Sequence, residues 1–148
     1  MQVESNLKPT KKFEIENIVD GKCDVVFYDD ITEIQALENE EDGKKYSYNI
    51  YRLKTIYRDD LEQTLNSDEE EYKKWLQKAK DTEYEELSSN IRKERDALLY
   101  ATDKYTISDY PISSENKELM LEYRQKLRDL PEQETFPYNV EFPKRPNV

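Results

Sequence analysis

Hydrophobic and polar positions follow two different periods along this chain, and the change falls near Asp59. Before it the pattern alternates. Phe13, Ile15 and Val19 lead into Asp20-Gly21, and Cys23 to Tyr28 are rich in β-branched and aromatic residues. Further on, Tyr46, Tyr48 and Ile50 alternate with Ser47 and Asn49. Period-two alternation with aromatic content marks half-buried strands. Both glycines follow aspartate, as Asp20-Gly21 and Asp42-Gly43. An Asp-Gly pair tolerates the positive φ that a tight hairpin turn needs at both central positions. Residues 12 to 58 therefore read as a small antiparallel β region, with Ile31 to Leu37 a candidate further strand. Residues 1 to 11 read as a flexible N-terminus.

From Asp59 to Thr102 the spacing becomes helical. Asp59-x-x-Glu62 is placed to cap a short helix carrying Leu61 and Leu65, and Ser67-x-x-Glu70 resembles a capping box. Tyr72, Trp75, Leu76 and Ala79 follow at three- and four-residue intervals, and Leu87, Ile91, Leu98 and Leu99 resume the pattern. Unbroken, a helix from Asp68 to Thr102 spans roughly 50 Å at 1.5 Å per residue. The alternative is a break near Asp81-Thr82, with Thr82 and Glu85 recapping. Residues 103 to 148 then supply a loop, a second helix and a tail. That helix begins near Ser113 or Ser114, carries Met120, Tyr123, Leu127 and Leu130 as a packing seam, and stops at Pro131. The short connection makes the two helices antiparallel neighbours. Pro131, Pro137, Pro143 and Pro146 keep the tail extended, with Phe136, Tyr138 and Phe142 touching down on the helical hairpin. The fold class is α+β: a small N-terminal antiparallel sheet, a long or broken helix, a shorter antiparallel helix and an extended Pro-rich tail.

Composition narrows the function. Of the 148 residues 35% are hydrophobic and 39% charged, which suits two-sided helices with one wet face more than a thick core. The formal net charge of −11 has the wrong sign for nucleic-acid binding. An acidic DNA mimic is opposed by the lysines and arginines interspersed among the acids, as in Glu94-Arg95-Asp96, which read as a solvated helix surface. No apolar run reaches the roughly 20 residues of a membrane helix, and Met1 to Lys12 contain no apolar signal core. One cysteine, Cys23, precludes an internal disulfide and fits a reducing cytoplasm. It reads as a small core residue.

Candidate chemistry is sparse. The chain has no histidine, which removes the commonest general base and transition-metal ligand. Two glycines cannot spell a nucleotide-binding loop. Acid pairs such as Asp29-Asp30 and Asp59-Asp60 occur in charge runs, where solvation is their ordinary state, and no calcium loop with its central glycine is present. The expectation is a protein without catalytic residues, metal or cofactor. The twelve tyrosines serve equally as packing residues and as interface residues.

The segment from Ile91 to Pro146 carries an ordered set of short motifs. Ile91-Arg92-x-x-Arg95-Asp96-x-Leu98-Leu99 leads to Thr102-Asp103, and Asp109-x-Pro111-Ile112-Ser113 follows. Next come Tyr123-Arg124-Gln125-x-Leu127-Arg128-Asp129-Leu130-Pro131, Phe136-Pro137 and Phe142-Pro143-x-x-Pro146. This order resembles the C-terminal module of the phage tail assembly chaperone family and is similar to the tail-fibre assembly proteins. Members often place a tryptophan after the Thr-Asp pair and Trp-Pro near the end, where this chain has Lys104-Tyr105 and Phe142-Pro143. The resemblance implies transient binding of a phage tail or tail-fibre subunit during assembly in the cytoplasm of the bacterial host. The alternative is a minor structural component of the tail or baseplate, retained in the virion. Homo-oligomerisation stays open. Asp96, four residues after Arg92, is placed for a helix-surface pair. Arg95, Arg124 or Arg128 is placed to clamp Asp103 or Asp109 with a planar two-pronged contact, fixing the loop between the helices.

Overall fold

The computed structural model describes residues 1–34 and 44–148. The Asp42-Gly43 turn and the end of the candidate strand Ile31 to Leu37 lie outside the described residues. The fold is α+β, with a four-stranded antiparallel sheet followed by helices. The chain forms two compact units, Met1–Glu83 and Tyr84–Val148.

The first unit holds strands β1 (Gln2–Ser5), β2 (Phe13–Val19), β3 (Lys22–Ile34) and β4 (Lys45–Ile56) in the order β1-β4-β3-β2. Asp20 and Gly21 close the β2–β3 hairpin with φ of 49° and 71°, the positive values an Asp-Gly turn accommodates. Ile31 to Ile34 prolong β3 past an irregularity between Asp29 and Thr32. One expectation is corrected here. Part of the N-terminal stretch read as flexible is a strand, with Val3 opposite Tyr48 and Ser5 opposite Tyr46. Four residues carry too little alternation to register as a pattern, and it is the long β4 that supplies their partner edge.

One sheet face, Phe13, Cys23, Val25, Phe27 and Leu53, packs on two helices, α1 (Leu61–Ser67) and the start of α2 (Glu69–Tyr100). Leu61, Leu65, Tyr72 and Ala79 come from the helical side. Phe27 and Tyr72 meet edge to face at 5.8 Å, and Phe13 lies against both. Cys23 is buried here, and burial followed by the charge of Asp24 pushes its thiol pKa up, in keeping with an inert core residue.

The helix caps differ from the capping boxes read in the sequence. Asp60, not Asp59, is the N-cap of α1, without a side-chain bond. Ser67 is the last residue of α1, so its backbone is already helical, and Asp68 caps α2. Asp68 is extended (φ −117°, ψ 102°), and its Oδ1 accepts from the amides of Glu70 and Glu71 at 3.0 Å each. Asp68→Ala is expected to cost about 1 kcal/mol of unfolding free energy, read by urea denaturation. α2 runs without a break at Asp81-Thr82. Thr82 Oγ1 donates back to the Lys78 carbonyl at 2.8 Å instead of recapping, and Gln77 bonds Asp81 across one turn.

The second unit comprises the rest of α2, a 3-10 turn at Asp103–Thr106, α3 (Ser114–Arg128) and the tail. Ser113 caps α3, its hydroxyl accepting from the Asn116 amide at 3.2 Å. The expected seam is buried: Met120, Tyr123 and Leu127 on α3 and Leu130 in the following 3-10 turn form a core with Tyr105. Leu98, Leu99, Tyr110, Ile112, Val140 and Phe142 pack against it. Pro131 sits within the Leu130–Glu132 3-10 turn, whose missing amide suits a first-turn proline.

Candidate functional site

The second unit is organised around a buried arginine. Arg124 lies on the core side of α3, 5% exposed beside Tyr123 and Leu127. The end of α2 leaves carbonyls without helical partners, and Arg124 Nη1 reaches two acceptors there. It donates to the Leu99 carbonyl at 2.6 Å and to Thr102 Oγ1 at 2.8 Å. Nη2 donates to Asp103 Oδ1 at 2.8 Å. The planar fork thus ties the last turn of α2, Thr102 and the loop to the middle of α3. Thr102, itself buried, has its hydroxyl within reach of the Leu98 and Leu99 carbonyls, at 3.0 and 2.9 Å. Arg124 Nε is buried with no hydrogen-bond partner among the described residues.

The remaining arginines do other work. Arg95 pairs with its neighbour Asp96, Nε and Nη2 reaching Oδ1 at 2.8 and 2.7 Å. The Arg92–Asp96 pair expected from spacing is therefore not made. Arg92 instead lies over the Phe136 ring, 5.5 Å from its centroid. Asp109 and Arg128 are exposed and carry no ion pair among the described residues. Asp129 is the C-cap of α3 and accepts from Gln125 Nε2 at 2.8 Å.

The tail is held by a contact that no sequence motif announces. Gln133 presents its amide to the backbone of Glu141 as a strand neighbour would, donating to the carbonyl and accepting from the N–H, both at 2.9 Å. Phe142 and Pro143 follow directly, and with Asp129, Lys126 and Gln133 they line a shallow cleft. Gln133→Leu is expected to free the tail at a cost of about 1 kcal/mol, seen as faster exchange of the Glu141 amide while Leu127 keeps its protection.

Residues 88–147 match the family model of the phage tail assembly chaperone protein. The match falls on the second compact unit and on the segment whose ordered motifs carry the resemblance, from Ser88 at the buried face of α2 to the tail. The sheet unit lies outside it. No curated protein and no solved structure matches the chain. Within the matched module, Arg124 and Asp103 meet in one network with Thr102, Tyr123 belongs to the core against which Phe142 packs, and Arg95 pairs with Asp96 outside that network.

The tyrosines divide between buried and exposed positions. Tyr72, Tyr105 and Tyr123 are core residues. Tyr100 is 81% exposed, and Tyr84 and Tyr138 form an exposed edge-to-face pair beside Phe136. Among the described residues no group of His, Cys, Asp or Glu is placed to hold a metal ion, and no helix is long and apolar enough to cross a membrane.

Proposed function

We propose that the protein is an assembly chaperone that transiently binds a tail or tail-fibre subunit of a bacteriophage in the host cytoplasm, without catalysing a reaction. The observation that carries this reading is the match of residues 88–147 to the tail assembly chaperone family, on a unit with its own core. Unassembled fibre and tail subunits expose strand edges and apolar surfaces that aggregate unless covered. A partner with a net charge of −11 adds solubilising repulsion to whatever it covers. Helix acids paired with nearby lysines, Glu70–Lys73, Glu71–Lys74 and Glu122–Lys126, favour a solvated surface over a phosphate-like array.

Co-expression with each tail and fibre subunit of the same phage tests the reading. One subunit is expected to move from the pellet to the soluble fraction and to co-purify with the chain. If no subunit does either, the reading falls.

A further inference from the structure

One face of the sheet packs on α1 and α2, and the register assembles the other face level by level. Residues opposite one another on antiparallel strands share a face. Lys22 of β3 therefore stands between Val19 of β2 and Ile56 of β4. Two residues along, Asp24 stands between Glu16 and Lys54, and Val26 then stands between Glu14 and Arg52. None of these nine side chains belongs to the core on the helical side.

At each level the residues of β2 and β4 are complementary. Val19 and Ile56 are apolar and 63% and 71% exposed. Glu16 and Lys54 carry opposite charges, as do Glu14 and Arg52. None of these four charged residues has an ion pair among the described residues. Glu14 accepts from the Tyr28 hydroxyl at 3.0 Å, which leaves its charge unanswered. Val26, between the rows, is only 1% exposed. The two flanking rows, one acidic on β2 and one basic on β4, are thus what this face presents.

We propose that a second copy of the chain stacks its sheet on this face, about a two-fold axis running along β3. That rotation exchanges the β2 and β4 sides and preserves the level. It sets Glu14 of one copy over Arg52 of the other, Glu16 over Lys54 and Val19 over Ile56, and each contact occurs twice. Sheets stacked in this way lie about 10 Å apart with their strands within about 30°. A two-fold axis across the strands instead lays β2 on β2 and acid on acid, so charge selects the direction as well as the partner. Lys22 and Asp24 meet their own counterparts on the axis, where Lys54 and Lys22 flank each aspartate. A second copy is favoured over a client subunit because the face matches itself at three successive levels, which a client does not require. The inference rests on the sheet and is independent of the proposed function.

Sedimentation velocity of the full chain at low salt tests this, at about 0.1 mM because a face of this size belongs with the weak interfaces. The wild type is expected to be a dimer. Glu14→Lys with Glu16→Lys makes both rows basic, and Arg52→Glu with Lys54→Glu makes both acidic. Each double variant is expected to be a monomer, with the amide resonances of Val25 and Phe27 in place to show an intact sheet. An equimolar mixture of the two is expected to dimerise again, as is the chain carrying all four substitutions. Val19→Ser with Ile56→Ser leaves the charges alone and is expected to weaken the dimer about tenfold, which keeps the test decisive should a charge variant unfold. A monomeric wild type, a dimer that persists in a folded charge variant, folded variants that stay monomeric when mixed, or a serine variant that dimerises like wild type would each overturn the proposal. A monomeric wild type that loses a co-purifying tail subunit on Arg52→Glu with Lys54→Glu would give the face to a client, and overturns it equally.

Discussion

Leu127→Asp is expected to unfold the C-terminal unit while the N-terminal sheet keeps its fold. Leu127 is 0% exposed and stands between Met120, Tyr123 and Leu130 in a core that also takes Tyr105. Deleting a buried leucine costs about 2–5 kcal/mol by itself. The aspartate adds a carboxylate that must either be desolvated or be protonated. The sum exceeds about 4 kcal/mol, a large share of the stability of a small unit. Hydrogen exchange resolved by segment checks it: Met120 and Tyr123 amides are expected to lose protection, and Val25 and Phe27 to retain it. Leu119→Asp on the exposed side of α3 is the control, with an expected change within about 0.5 kcal/mol. Equal, small effects of the two substitutions would show that the α3 seam is not the core of the unit.

Arg124→Met is the second large effect, expected at about 2–3 kcal/mol. Methionine replaces the apolar stem of the arginine and none of its donors. Thr102 Oγ1 and the Leu99 carbonyl lose a charged donor, although the Thr102 amide still reaches Leu99 at 3.0 Å. Asp103 contributes less, because its side chain is 58% exposed and water replaces the arginine readily. Asp103→Asn is therefore expected to cost well under half of what Arg124→Met costs. Arg124→Lys separates charge from geometry: an ammonium keeps the charge but lacks the planar fork that addresses Thr102 and Asp103 from two nitrogens. Thermal unfolding of the three variants ranks them. A lysine variant as stable as wild type would mean that charge alone holds the loop.

How far the sequence revealed this arrangement depended on the reach of each interaction. The Asp20-Gly21 turn was legible because two adjacent residues fix it, and the α3 seam because three- and four-residue spacing fixes which side is buried. The clamp was legible only as a set of candidates. Arg95, Arg124 and Arg128 offer the same guanidinium, and Arg124 is the one whose position on α3 faces both the buried core and the end of α2. Spacing also suggested Arg92 for Asp96, but the aromatic ring of Phe136 engages Arg92, and Arg95 is adjacent to the acid. The choice between Ser67 and Asp68 as cap depended on where α1 ends, a boundary that composition does not set. β1 and the Gln133 bonds to Glu141 were not legible at all, since both consist of backbone groups meeting partners that sequence patterns do not encode.

The proposed chaperone helps to build a phage tail and leaves before the particle is complete. Mass spectrometry of purified mature particles beside the infected-cell lysate tests this. The protein is expected in the lysate, bound to a tail or fibre subunit, and absent from particles. Finding it in particles at a fixed ratio to the tail proteins would contradict the chaperone reading and make it a structural component of the tail.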